Sequence, residues 1–217
     1  SLYMDAVPKA VETIRWFADN PPEGVVSIEA PKYTRFQAPL GVVGAITAWN
    51  DPLVLAVWKS APALMAGNSI VLKPSESSCL TTLEMARAGL SAGIPSGVLN
   101  VVVGDGTTGA SLVRHRGIDG ISFTGSASSA VDILRGANDS RLCPVSVEAG
   151  GKSAVYISRT ADIGSAAVAQ ARAIFYHQGQ ICSAASRLLI HEAVYDEVLC
   201  QLEAAAKLYF PQNPLCV

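Results

Sequence analysis

From residue 42 onward the 217-residue chain is written as short, uniformly apolar runs, at 42–47, 69–72, 98–103, 120–123 and 145–147, most of them separated by helix-length stretches such as 53–65 and 81–90. A strand with one wet face alternates polar and apolar residues, because successive side chains point to opposite sides. Runs without that alternation belong to strands covered on both faces, as in a parallel sheet sandwiched between helices. The expected fold is therefore α/β, a doubly wound parallel sheet. A strand at 154–157, a helix over 163–176, a strand near 188–190 and a last helix from Ala193 predict the start of a second α/β domain, with the boundary near residue 150. Ahead of the sheet, residues 1–20 read as an amphipathic helix with Val11, Ile14 and Phe17 on one side. Pro21 and Pro22 end it, and residues 21–39 read as a hairpin or extended arm.

Composition removes several classes of function. Half of the residues are hydrophobic, 16% are charged and the net charge is −2, so there is no basic stripe to neutralise phosphates and no nucleic-acid partner is expected. Uncharged stretches such as 38–50 are shorter than the roughly 18 residues that cross a bilayer, so the chain is expected to be soluble, without a membrane partner. Its cysteines, Cys79, Cys143, Cys182, Cys200 and Cys216, are widely spaced, with no CxxC pair and no histidine pattern beside them. That usage predicts reduced thiols in the cytoplasm and no metal site. The first twenty residues carry scattered charges and no apolar signal-peptide core. The chain opens on Ser1 and closes on "FPQNPLCV", and both ends read as cuts in a longer protein.

Four stretches carry chemistry, each with a plainer reading beside it. "VVVGDGTTGASL" holds Gly104, Gly106 and Gly109 in a GxGxxG between a strand and a helix, the context of a dinucleotide fingerprint. The acidic residue expected about 20 positions on is missing, Asp119 being too early and Asp132 too late, and such glycines also occur in ordinary strand-to-helix turns. In "FTGSASSA", Gly125 and Ser126 follow a strand and can meet a diphosphate, or Ser126 can simply cap a helix. "EAGGKS" resembles a Walker A loop until its first glycine, where Ser146 stands. "IVLKPSE" sets Lys73 and Glu76 just past a strand end, where open α/β sheets bind ligands and where a lysine and a carboxylate can hold ribose hydroxyls. Surface charges at a proline turn are the alternative.

The segment "FYHQGQICSAASR" raises the possibility of a nucleophile. Gly179 permits a sharp turn, and Ser183, Ala184 and Ala185 leave room around Cys182. A small buried apolar side chain is the other reading of a lone cysteine.

Taken together, "GVVGAITAWNDPL", "APALMAGNSIVLKPSE", "GIPSGVLNVVVG", "ISFTGS", "VEAGGKSA" and "QGQICSAASR" resemble the aldehyde dehydrogenase superfamily, in that family's order and over nearly the whole chain. The resemblance implies an NAD-dependent oxidation of a small-molecule aldehyde to a carboxylic acid, with NADP also possible. It implies a Rossmann-like NAD-binding domain over 40–150 that includes the 1–20 helix, a 21–39 arm used in oligomerisation, and an incomplete catalytic domain over 151–217. By the resemblance Cys182 is the nucleophile, Asn50 the oxyanion donor and Glu148 the carboxylate that activates water. Lys73 and Glu76 contact the adenosine ribose and Ser126 the pyrophosphate, with Gly125 in the same motif. Trp49 and Gly106 line that cleft. Glu76 would repel the extra phosphate of NADP, which favours NAD. Trp58 falls where relatives line the substrate tunnel, although a core tryptophan beside a helix gives the same sequence.

Three departures from the family pattern are visible. Ala149 replaces the usual leucine next to Glu148, and Ala130 replaces a glycine in the loop after Ser126. The chain also stops before the family's later segment, which carries the second ribose carboxylate, the rest of the substrate pocket and the strand of dimer assembly. A homo-oligomer is expected of the full-length protein. A non-catalytic nucleotide-binding or structural module derived from such an enzyme is the alternative.

Overall fold

A computed structural model describes residues 2–21, 25–26, 35–36, 38–139 and 142–209. It divides into two compact units, Ser1–Ala149 and Gly150–Val217. The first begins with α1 (Leu2–Asp19) and a short antiparallel ladder of β1 (Val25–Val26) and β2 (Arg35–Phe36). Most of the expected 21–39 arm lies outside the described residues. The chain then alternates β3 (Val42–Ile46), α2 (Pro52–Met65), β4 (Ser69–Lys73), α3 (Leu80–Ser91), β5 (Leu99–Val101), α4 (Gly106–Arg114), β6 (Gly120–Gly125), α5 (Ala127–Asn138) and β7 (Val145–Ala149).

β3 to β7 form one parallel sheet in the order β5-β4-β3-β6-β7. The chain winds from β3 outward to β5, then returns to the other side of β3 for β6 and β7. This is the doubly wound arrangement expected from the unalternating runs. Its two faces carry separate cores. Ile46, Val113, Ile118, Ile121, Phe123, Ala130 and Ile133 fill the side of α4 and α5. Val43, Ala45, Ala56, Ile70 and Leu72 fill the side of α2. Neighbouring residues of β3 thus serve opposite cores, which is why both of its faces are apolar.

Two expectations need correction. β7 is not buried on both faces: it ends the sheet, Val145 and Val147 are half-buried and Ser146 and Glu148 are exposed. Only the face of Val145 and Val147 packs into a core, so alternation reappears. On α1, which packs against α2, Val11 and Ile14 are exposed, while Ala10 is buried and Ala6, Thr13 and Phe17 half-buried. Small residues at 6, 10 and 13 let the two helices approach closely, and of the three expected apolar-side residues only Phe17 shares that face.

The second unit is a βαβ motif with an added helix: β8 (Ala154–Ile157), α6 (Ile163–Phe175), β9 (Arg187–Ile190) and α7 (Tyr195–Ala206). β8 and β9 pair in parallel from Ala154↔Arg187 to Ile157↔Ile190. Ala167 and Ala171 of α6 and Val198 and Ala205 of α7 are buried where the two helices pack. The last helix starts at Tyr195, later than Ala193, because a 3-10 turn over Glu192–Val194 precedes it, capped by His191 accepting from the Ala193 N–H at 3.2 Å.

Candidate functional site

In a parallel doubly wound sheet every strand ends on the same side, and ligands bind beyond those ends where the strand order reverses. In the first unit that reversal lies between β3 and β6. Trp49 and Asn50 follow the end of β3, Lys73 closes β4, Gly125 closes β6 and Glu148 lies in the last two positions of β7. The fold therefore puts these residues at one edge of one sheet, although their sequence positions are far apart. Asp119, the acid at the wrong spacing for a ribose, lies at the opposite edge. Its carboxylate accepts from the Val42 N–H at 2.8 Å and pins the start of β3.

The surface-charge reading of Lys73 does not survive. Its side chain is only 5% exposed, and its ammonium donates to the Pro74 carbonyl at 3.0 Å and lies 3.8 Å from the Glu76 carboxylate, which is 59% exposed. A buried ammonium with three donors beside an open carboxylate fits the hydroxyls of a sugar. Trp58 also departs from its plainer reading, since at 57% exposure it is no core residue; Trp49 is likewise exposed.

The two glycine-rich turns show local tasks. At α4 the Asp105 carboxylate accepts from the Thr107 hydroxyl at 2.6 Å and from the Thr107 and Thr108 N–H groups at 2.9 and 3.4 Å, which holds it below the usual carboxylate range. Two of the first-turn amides that a phosphate would use are thus occupied. Around Gly106 there is open space. At α5 the Ser126 hydroxyl accepts from the Ser129 N–H at 3.1 Å, the capping arrangement, and a methyl on Gly125 would stand 2.5 Å from the Phe123 ring. Ala130 buries its methyl in the core between α5 and the sheet.

One residue escaped the sequence reading. Lys59 is the single charged residue of α2, and it turns inward to donate to the Ser122 hydroxyl at 2.8 Å. Ser122 projects from β6 on the side opposite Ile121 and Phe123. Burial pulls the Lys59 ammonium down from 10.5 to about 8, and attraction to the Glu148 carboxylate opposes the shift. A lone cation in an otherwise uncharged helix was the available signal.

The shift carries a stability consequence. The unfolded chain holds this proton up to 10.5 and the folded one only to about 8, so stability rises with pH between those values and the burial cost is fully present below them. Lys59→Met is expected to stabilise by on the order of 1–3 kcal/mol near pH 7, an advantage that shrinks toward about pH 10. Urea midpoints at both pH values check this. A constant advantage would mean that the ammonium is not its source.

In the second unit Cys182 is exposed, so the buried-packing reading fails there. It sits between α6 and β9, after a turn in which His177 (φ 49), Gln178 (φ 58) and Gly179 (φ 72) are all left-handed. The first two carry side chains, and such residues cost on the order of 1–3 kcal/mol each and concentrate at functional sites. The helix expected to reach Tyr176 ends at Phe175 because the chain bends into this turn. Gly151 lies against the Cys182 backbone: a Cβ there would stand 2.7 Å from the Cys182 carbonyl oxygen. Cys79, Cys143 and Cys200 likewise form no disulfide, and Cys216 lies outside the described residues. No cluster of three His, Cys, Asp or Glu suited to a metal, and no helix long and apolar enough to cross a membrane, occurs among the described residues.

Comparison with known proteins shows the family. The profile described as "Aldehyde dehydrogenase family" matches residues 2–215. The chain is 44% identical over 217 residues to NADP/NAD-dependent aldehyde dehydrogenase PuuC of Escherichia coli, covering 97% of this chain and 44% of that protein. It is 40% identical over 219 residues to human aldehyde dehydrogenase 1A1, covering 98% and 44%. Among solved structures it is similar to gamma-glutamyl-gamma-aminobutyraldehyde dehydrogenase from Burkholderia cenocepacia, with a TM-score of 0.93 and 43% identity over 97% of this chain and 44% of that one. An indole-3-acetaldehyde dehydrogenase in complex with NAD+ gives 0.90 and 38%, over 97% and 44%. The chain thus spans 44% of the length of each of these relatives.

Proposed function

Because the chain belongs to the aldehyde dehydrogenase family, we propose that it carries the dinucleotide-binding region and the nucleophile of an enzyme that oxidises an aldehyde to a carboxylic acid with NAD. The observation that carries this reading is the gathering of Asn50, Lys73, Gly125 and Glu148 at the carboxyl edge of one parallel sheet. Lys73 and Glu76 hold the adenosine ribose, and Ser126, Gly125, Gly106 and Trp49 line the path of the diphosphate. Capping by Asp105 favours the α5 turn over the α4 turn as the phosphate seat. The exposed Glu76 carboxylate disfavours a further phosphate on that ribose, so NAD is preferred to NADP.

In the reaction the Cys182 thiolate adds to the aldehyde carbon, and the carbonyl electron pair moves to oxygen. The Asn50 side-chain amide and the Cys182 backbone N–H hold that oxyanion. A bound nicotinamide supplies a hydride acceptor. Loss of hydride from the Cys182 thiohemiacetal leaves a thioester on the sulfur. Glu148 takes a proton from water, the resulting hydroxide adds to the thioester, and the C–S bond breaks to release the acid and restore the thiolate. Sulfur suits this sequence because its acyl adduct opens to water readily.

Asn50→Ala is expected to lower kcat by about 10²–10³-fold with NAD affinity retained, since one oxyanion donor is lost. Steady-state kinetics and NAD titration of the full gene product test this. An unchanged kcat would remove Asn50 from the role. Exposed Trp58 supports an apolar aldehyde. A homo-oligomer is supported by the half-open edge strand β7 and by the exposed Val131 and Leu134 on the neighbouring α5. Among the described residues Cys79, Cys182 and Cys200 are thiols outside any disulfide, which supports a cytoplasmic location.

A further inference from the structure

The turn that precedes Cys182 persists only if its surroundings hold it, and the holding group lies on α6. Gln170 is 5% exposed, and its side-chain N–H donates to the Ala185 carbonyl at 2.8 Å. The N–H of Ala185 donates in turn to the Ala173 carbonyl of α6 at 3.3 Å. Ala185, three residues past the nucleophile, is thereby gripped through both of its backbone polar groups. Ala184 and Ala185 are buried while Cys182 and Ser183 are exposed, so the grip divides the anchored part of the segment from the part that meets substrate.

Packing alone does not account for a glutamine at this place. Its Oε1 is buried with no hydrogen-bond partner among the described residues. Methionine or leucine would fill similar space without stranding an oxygen, which is costly in the interior. What the amide adds is the bond to Ala185.

We propose that Gln170 is a positioning residue for Cys182, an inference that rests on the nucleophilic role given above. By fixing the Ala185 carbonyl to α6 it sets where the segment from His177 to Ser186 comes to rest, and so where the sulfur and the Cys182 N–H stand against the carbonyl of the substrate. A small misplacement of reacting groups is enough to slow a reaction by about 10²-fold.

The test uses Gln170→Met and Gln170→Glu in the full gene product. Both keep the shape of the side chain; methionine cannot donate to a carbonyl, and glutamate can do so only when protonated, so its effect should grow as pH rises. Three quantities are followed: the first-turnover burst of NADH, the KM for NAD, and the rate at which iodoacetamide alkylates Cys182 in the absence of aldehyde and NAD, read by peptide mass. Expected are a burst slowed by about 10–100-fold, an unchanged KM for NAD, and an alkylation rate altered several-fold, with the Tm of Gln170→Met retained. Wild-type burst and alkylation in both variants would overturn the proposal. So would a loss of burst that merely tracks a lowered Tm and a raised KM for NAD in both. Alkylation needs no turnover. A protein without aldehyde oxidation but with Gln170-dependent alkylation would overturn the proposed enzyme and leave the positioning role standing.

Discussion

Cys182→Ala is expected to remove aldehyde-dependent NADH formation from the full gene product, by about 10⁴-fold or more, while NAD still binds. The size follows from chemistry: without the sulfur there is no thiohemiacetal from which hydride can leave. NAD affinity should survive because Lys73, Glu76 and Ser126 lie in the first unit and Cys182 in the second. Rates in the wild type and variant, with NAD titration of both, check the result. Residual turnover within tenfold of wild type would transfer the chemistry to another group. NAD binding without turnover in the wild type itself would instead favour a non-catalytic nucleotide-binding module.

Glu148→Gln is expected to separate the two halves of the reaction. Acylation does not need the carboxylate, so the first turnover should still give its burst of NADH. Hydrolysis of the thioester should slow by about 10²–10⁴-fold, leaving an acyl group on Cys182 that intact-mass measurement detects. Equal loss of burst and steady state would contradict the assignment of Glu148 to water activation. Its neighbours bear on the experiment: Lys59, tied to Ser122, interacts electrostatically with the Glu148 carboxylate, and the glutamine removes that attraction.

Much of the first unit could be read from its residues. The runs around Val43, Ile70, Leu99 and Ile121 lack alternation because those strands lie between two helical layers, and that burial is legible without coordinates. Ser146 and Glu148 escaped the same rule because only the face of Val145 and Val147 packs into a core, and which face of a strand finds cover is a property of topology. Val11 and Ile14 were assigned to the wrong face of α1 because side-chain hydrophobicity outweighed the fit of small residues against α2. In the site, Lys73 looked like a surface charge at a proline turn, and only its depth distinguishes it. Lys59 was passed over because a lysine in a helix is ordinarily solvated. At Cys182 the sequence advertised one glycine for the turn, whereas His177 and Gln178 adopt left-handed backbone with no compositional sign. The grip of Gln170 on Ala185 spans fifteen positions, and no local pattern marks it.

The winding of the sheet also governs how the chain reaches its fold. β3 occupies the middle, yet one of its two partners, β6, comes so late that Val42 and Asp119, which bond at that seam, are 77 positions apart. As the protein leaves the ribosome, β3, β4 and β5 can associate first, and their open backbone edge must wait for the next strand. Long-range parallel pairing of this kind is slow and leaves an apolar, aggregation-prone surface meanwhile. A need for shielding from other chains during synthesis is the expected consequence of where the central strand falls in the sequence.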